Sequence, residues 1–168
     1  HCRAATADHQ NKIPIAEQKP EITQVVEVSV AIQHDDHFLL RRYPEGQRWA
    51  GLWDFVRFPL GDAKSIMPTS RLTAAGTVPQ KLISMIEQSV HEATGTDIEL
   101  DRFLKEIRHS VTRYRISLLC FLASTKYATP KANEDLAWVT AEQLDDYPLS
   151  TTGRKQAVLV QQIQPTLF

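Results

Sequence analysis

The amino-acid sequence predicts a mixed β-sheet packed against helices, an α+β fold. Three observations lead there. Val26, Val28, Val30 and Ile32 alternate with Glu27, Ser29 and Ala31, the period of two that marks a half-buried strand. Leu82, Ile86, Val90 and Ala93 recur at helical spacing with Ile83 beside them, and Gly95 follows as a natural C-terminal cap. Tyr114 to Ala123 is an apolar run rich enough to lie inside a sheet.

The totals bound the function. At 168 residues the chain has the length of one domain with a tail. Its apolar share of 42% supports a globular core beside a charged share of 23%. No apolar run reaches membrane-spanning length, because charged residues interrupt every candidate. No charged-then-apolar leader opens the chain, so the expected location is the cytoplasm. Formal net charge is −1. A domain that held nucleic acid unaided would usually be basic, so a nucleic-acid role must rest on a local patch or a partner domain. The two cysteines, Cys2 and Cys120, suggest no disulfide framework, which fits a reducing compartment. Cys120 lies in the run Ile116–Leu122 and reads as a buried, inert thiol.

Taken in order, residues 1–24 read as an extended linker, polar and punctuated by Pro14 and Pro20. The abrupt start at His1 suggests a fragment of a longer chain or an arbitrary boundary. The strand around Val26–Ile32 is followed by His34-Asp35-Asp36-His37 and by Phe38–Arg42, a second strand that makes a hairpin. The four turn residues include metal-ligating types, but polar residues between strands are commonplace, and a turn is the preferred reading. After Tyr43-Pro44-Glu45-Gly46 comes Arg48-Trp49-Ala50-Gly51-Leu52-Trp53-Asp54-Phe55, which holds two of the three tryptophans. Large rings about a glycine predict a buried turn that hands one strand to the next. Leu52–Leu60 is the third strand, residues 63–78 a loop, and Pro79 suits the first turn of the helix. Lys105–His109 predicts a strand that Ser110–Arg113 interrupts before Tyr114–Ala123. Leu136–Val139 is a last short strand. Thr140–Leu144 reads as a capped helical turn, and Thr152–Ile163 as a terminal helix.

Leu39-Leu40-Arg41-Arg42 followed by Trp49–Phe55 closely resembles the C-terminal domain of bacterial adenine DNA glycosylases, the MutY family, whose fold is Nudix (MutT-like). Arg108–Arg113 is similar to that family's loop between the middle strands. Trp138-Val139 followed by Leu144, and then Tyr147–Lys155, are similar to its last strand and C-terminal segment. The resemblance covers about residues 1–163, and the tryptophan stretch is its specific part. It implies that residues 1–24 end a catalytic domain and form the interdomain linker. Residues 25–168 are then a Nudix-like lesion-recognition domain. His1-Cys2-Arg3-Ala4 is similar to the end of the catalytic domain, where a final cysteine ligates an iron–sulfur cluster. Cys2 would be that ligand, in the full-length protein only, because a 4Fe-4S cluster takes four thiolates. Within the fragment Cys2 is expected as a free thiol, with no cofactor.

In the resembled family the C-terminal domain grips 8-oxoguanine while the other domain removes the paired adenine. The implied partners are duplex DNA carrying 8-oxoguanine opposite adenine and a catalytic domain upstream of His1. The implied setting is base excision repair at a bacterial nucleoid. Oxidation makes N7 of guanine a donor and O8 an acceptor, a change that a loop hydroxyl and main-chain groups can read. The family's loop usually reads Phe-Ser-His, and Val111-Thr112-Arg113 aligns with it here. Thr112 keeps the hydroxyl, Val111 lacks the ring, and Arg113 brings a permanent charge suited to phosphate. Thr112 reads equally as an ordinary turn hydroxyl. The expected lesion- or DNA-binding residues are Arg108, His109, Ser110, Val111, Thr112 and Arg113. Arg108, Arg113 and Arg115 would form a phosphate-contact patch if they shared a surface with His109, and a solvated strand face otherwise.

A hydrolysing Nudix helix carries Arg-Glu, then Glu-Glu, then Gly, to hold Mg²⁺ against a diphosphate. Aligned on Gly95, those positions are Gln88-Ser89 and Glu92-Ala93. Only Glu92 remains, and Glu87 is at the wrong spacing to replace Ser89. No catalytic residue is therefore expected in this chain, since excision chemistry would belong to the missing domain. The alternatives are a stand-alone Nudix-type nucleotide pyrophosphohydrolase with an atypical metal site, and a non-catalytic interaction domain.

Overall fold

The computed structural model describes residues 22–47, 49–62, 77–128 and 131–163. The tail bearing Cys2, Arg48 and residues 63–76 of the expected loop lie outside them. Six strands form one sheet: β1 Thr23–His34, β2 His37–Arg42, β3 Trp53–Asp62, β4 Glu99–Val111, β5 Tyr114–Ser124 and β6 Leu136–Thr140. Among the described residues two helices join them, α1 Gln80–Thr94 and α2 Thr151–Gln161, with a short 3-10 helix at Glu142–Asp146. The spatial order is β4-β5-β1-β3-β2-β6. β1 and β5 run parallel, from Thr23 opposite Tyr114 to Gln33 opposite Ser124. The other strand pairings are antiparallel.

This is the mixed sheet with helices that the sequence predicts. Several expectations change, and β4 runs on through Ser110 and Val111, where an interruption was expected. β1 is not half-buried, because both its faces are covered from Val28 to Ile32. Val28, Val30 and Ile32 join Ile86 and Val90 of α1 in one core. Ala31 on the other face joins Phe55, Leu144, Ala157 and Val160 in a second core against α2. Ser29 and Ala31 are small, so their alternation with valine imitates a polar face. The carbonyl of Ser29 accepts a hydrogen bond from Gln156 Nε2 of α2 at 3.3 Å.

The helix ends follow their sequence signals. Gly95 caps α1 at φ 72°, with its N–H donating to the carbonyl of His91 at 2.7 Å. A left-handed φ of that kind favours glycine. Pro79 sits one position before the helix, and its carbonyl accepts from Leu82 and Ile83. Thr140 and Gln143 bond reciprocally: the Thr140 N–H donates to Gln143 Oε1 at 3.0 Å, and the Gln143 N–H to Thr140 Oγ1 at 3.4 Å. This is the expected capping arrangement.

The tryptophan stretch is a half-buried turn, not a fully buried one. Gly46, Gln47 and Ala50 are exposed, while Trp49 and Trp53 are half-buried. The turn closes where the N–H groups of Tyr43 and Gly51 donate to Leu52 and Tyr43 carbonyls, at 2.8 and 3.0 Å. Trp53 meets the Tyr147 ring edge-on at 5.3 Å and bonds through its backbone to Pro148 and Ser150. Next to it, buried Asp54 accepts from Ser150 Oγ at 2.6 Å, the Phe55 N–H at 3.0 Å and the Tyr43 hydroxyl at 3.4 Å. Burial pushes the Asp54 carboxyl above its usual range, and Ser150 and Arg57 draw it back. Ser150 Oγ in turn accepts from the Gly153 N–H at 3.0 Å, capping α2.

A methyl group at Gly153 would overlap the Asp54 carboxylate. Gly153→Ala is expected to lower stability by about 1–3 kcal/mol, read as a reduced urea midpoint at unchanged m-value. An unchanged midpoint would show that α2 is not seated this tightly.

Candidate nucleic-acid interface

The candidate site is the far end of the β4–β5 hairpin. β4 is an edge strand whose register shifts between Leu100 and Arg102 and again between Phe103 and Lys105. Beyond those bulges the ladder is regular to Val111 opposite Tyr114, which leaves Thr112 and Arg113 as a two-residue turn. Thr112 has φ 53°. Glycine is the residue that usually takes a positive φ at the first position of such a turn. For a β-branched residue that conformation costs on the order of 1–2 kcal/mol. Thr112 and Arg113 are both exposed. The Arg113 guanidinium lies 5.4 Å over the Tyr114 ring and donates to its hydroxyl at 3.3 Å. The tip therefore presents one strained residue with a hydroxyl, followed by a cation held against an aromatic ring.

Strand alternation divides the expected site residues between two faces. Ser110, Arg115 and Gln24 stand in one row across β4, β5 and β1, and Arg108, Ser117 and Val26 in the next. Further along the same face, Leu119 and Val28 enter the α1 core. His109 is in register with Ile116 and Val25, on the opposite face. Adjacent residues on a strand point to opposite sides, so His109 leaves β4 away from Arg108 and Ser110, yet it borders the same cleft as Arg108 and Arg115. That cleft is open, about 520 Å³ in volume and mainly on the α1 side, and its polar lining comprises Gln24, Glu106, Arg108, His109, Ser110, Arg115 and Ser117. Arg108 is exposed and engages Glu106 through Nε at 3.0 Å and Nη2 at 2.9 Å. Arg115 is exposed and makes no hydrogen bond or ion pair among the described residues.

Gln88 donates to Glu92 Oε1 at 2.9 Å, one turn on. Ser89 and Ala93 supply no charge beside that carboxylate. A hard divalent cation held against a diphosphate takes several anionic oxygens, so these residues do not fit a magnesium site. At the β1–β2 turn His37 Nδ1 lies 2.6 Å from Asp36, and His34 Nε2 3.7 Å from Asp35. Among the described residues no group of three metal-ligating side chains is formed. Cys120 is buried, and burial pushes its thiol up to about 12, consistent with an inert core cysteine.

A second cleft of about 310 Å³ lies on the α2 side, lined by Glu27, Tyr43, Gln47, Trp49, Arg57 and neighbours. Its charges are already spoken for. Arg57 is ion-paired with Glu27, donates to Thr152 Oγ1 at 2.9 Å and stacks 4.6 Å from the Trp49 ring. Sequence reasoning missed this group, since its members come from β1, β3 and α2. It also missed Gln24 and Ser117 of the first cleft. The only sequence signal for those was strand alternation, and it needed the parallel β1–β5 pairing to become useful.

The sequence profile described as the NUDIX domain matches residues 27–157. No protein of curated function matches the chain. Among solved structures, the MutT protein from Methanosarcina mazei Go1 is similar at TM-score 0.63 and 18% identity, covering 88% of this chain and 100% of that one. The E. coli ORF135 protein is similar at TM-score 0.61 and 19% identity, over 84% of this chain and 91% of that one. The C-terminal domain of mouse MUTYH, solved with human PCNA, is similar at TM-score 0.59 and 18% identity, over 85% of this chain and 91% of that one. At these identities the likeness is one of fold.

The strain at Thr112 is directly measurable. Thr112→Gly is expected to raise unfolding free energy by about 1 kcal/mol through relief of the positive φ. Denaturant titration checks this, and a loss of stability would show that the hydroxyl anchors the turn.

Proposed function

The chain belongs to the NUDIX domain family, and within it we propose that this chain is a lesion-reading DNA-binding domain of the adenine DNA glycosylase type, not a diphosphate hydrolase. The observation that carries the reading is Thr112, a β-branched residue kept at φ 53° on an exposed hairpin tip. Strain of this kind collects at functional sites, and here it holds a hydroxyl where a base edge can reach it. The depleted α1 argues in the same direction. A helix that offers Gln88, Ser89 and Ala93 around Glu92 has little to give magnesium-assisted hydrolysis.

In this reading the Thr112 hydroxyl and neighbouring main-chain groups face the edge of 8-oxoguanine, whose N7–H and O8 reverse the pattern of guanine. Arg113 lies against flanking phosphate. Residues 1–24 link the domain to a catalytic domain that removes the opposed adenine. Cys2 is the last thiolate of a 4Fe-4S cluster whose other ligands lie outside this chain. The setting is base excision repair in a bacterial cytoplasm. The mouse MUTYH C-terminal domain shares this fold, which gives the reading a structural relative.

The second reading, a nucleotide pyrophosphohydrolase with a rearranged metal site, draws on the fold likeness to the Methanosarcina mazei MutT protein. The cleft beside Trp49 and Tyr43 is the place for its base. Magnesium-dependent release of pyrophosphate or phosphate from nucleoside triphosphates by the 168-residue chain would favour it.

The direct test is lesion selectivity in the full-length protein. Thr112→Ala is expected to narrow the preference for 8-oxoguanine:adenine over guanine:adenine duplexes by about fivefold, the worth of one hydrogen bond of about 1 kcal/mol. An unchanged preference would remove Thr112 from the recognition surface.

A further inference from the structure

We propose that the α1-side cleft at the ends of β1, β4 and β5 is a phosphodiester-binding groove for one strand of duplex DNA, with Arg115 as its standing cation and Arg108 as a second cation held in reserve by Glu106. The proposal rests on the DNA-binding reading and adds a surface distinct from the hairpin tip.

The groove follows from register. Gln24, Arg115 and Ser110 form one row of side chains, and Ser117 and Arg108 belong to the next. Both rows lie on the face that α1 covers further along, where Val28 and Leu119 meet Ile86 and Val90. At this end the face opens into a cleft of about 520 Å³. Besides Glu106 and His109, its lining joins two guanidinium groups to two hydroxyls and an amide. These are groups that donate to phosphate oxygens and carry no base preference. Arg115 has no hydrogen-bond or ion-pair partner among the described residues. An exposed, unpaired guanidinium beside hydroxyl donors complements a phosphodiester in charge and in geometry.

Glu106 sets the strength of the groove. Its carboxylate is largely shielded, at 14% side-chain exposure, whereas Arg108 is 75% exposed. The carboxylate is thus held against the sheet while the guanidinium lies open to solvent. In free protein the bidentate pair cancels the charge of Arg108. A phosphate seated on Arg115 offers Arg108 a second anion, and the guanidinium has donors enough to hold both. Glu106 lowers affinity for any polyanion, which suits a domain whose formal net charge is −1. Phosphate contacts give register and grip, and base contacts give selectivity, so the groove and Thr112 contribute separable quantities.

The test measures binding of the 168-residue chain to 8-oxoguanine:adenine and guanine:adenine duplexes by fluorescence anisotropy across a low-salt series. Arg115→Gln is expected to weaken both complexes about equally, by roughly fivefold, and to reduce the log–log salt slope by about 0.9, one phosphate contact. Glu106→Gln is expected to tighten both, since it releases Arg108. Wild-type affinity and slope in both variants would overturn the groove. That result leaves the lesion reading intact if Thr112→Ala still narrows selectivity in the full-length protein. Conversely, a wild-type full-length protein with no lesion preference would sink the lesion reading, and loss of affinity in Arg115→Gln would still uphold the groove.

Discussion

The buried carboxylate of Asp54 is the constraint on which most of the arrangement depends. It sits on β3, directly after Trp53, and receives Ser150, Phe55 and Tyr43. A carboxylate removed from water is tolerated only when its lone pairs are occupied, and one unsatisfied group of this kind costs several kcal/mol, on the order of 3–5 when a buried partner is removed. That requirement fixes three segments at once. The tryptophan turn is held through Tyr43. The start of α2 is held through Ser150, whose hydroxyl also caps the helix at Gly153. Arg57 joins the group at 3.8 Å and carries it to Glu27 on β1 and Thr152 on α2. Gly153 completes the fit, because any side chain there would displace the carboxylate.

The knot explains why the α2 side offers little for ligand chemistry. A cleft exists beside Trp49, but its polar floor is an ion pair that already satisfies Arg57 and Glu27. The α1 side is the reverse. Its helix packs through Ile86 and Val90, while the end of the sheet beside β4 carries a cleft and an arginine, Arg115, with no hydrogen-bond or ion-pair partner among the described residues. Stability and availability are thus placed on opposite faces of one sheet. The family's metal chemistry would be expected along α1, where Gln88 and Ser89 now stand. With neutral side chains at those positions, Gln88 donates to Glu92 one turn on, where a carboxylate would repel it.

The fold was legible wherever one periodicity ran uninterrupted. The apolar repeat of α1, the Gly95 cap and the hairpin of β1 and β2 follow from residues close in sequence. β4 was legible only in part, as 105–109, because bulges near Leu100 and Phe103 break the alternation that marks a strand. The full coverage of β1 was hidden by Ser29 and Ala31, which are small enough to lie under α2 yet look like a polar face. Strand order was not legible at all. Parallel pairing of β1 with β5 leaves no local signal, and it alone brings Gln24 beside Arg115. The hairpin residues were named in advance, but their division between faces depended on a register that the turn at Thr112-Arg113 sets.

That turn gives the site its physical logic. A hairpin needs a positive φ at one turn position, and a chain selected for stability alone would place glycine there. Thr112 departs from that choice in a segment where nothing in the core asks for it, since Thr112 and its neighbour Arg113 are exposed. Among the described residues two other non-glycine residues share the conformation. Asp35 is of a type that tolerates it, and Trp49 is held by contacts to Tyr43 and Arg57. Thr112 has neither excuse among the contacts described. Burial and packing account for the constraint at Asp54, and strain without packing marks Thr112. The first cost is offset by contacts within the fold, and the second by none among those described.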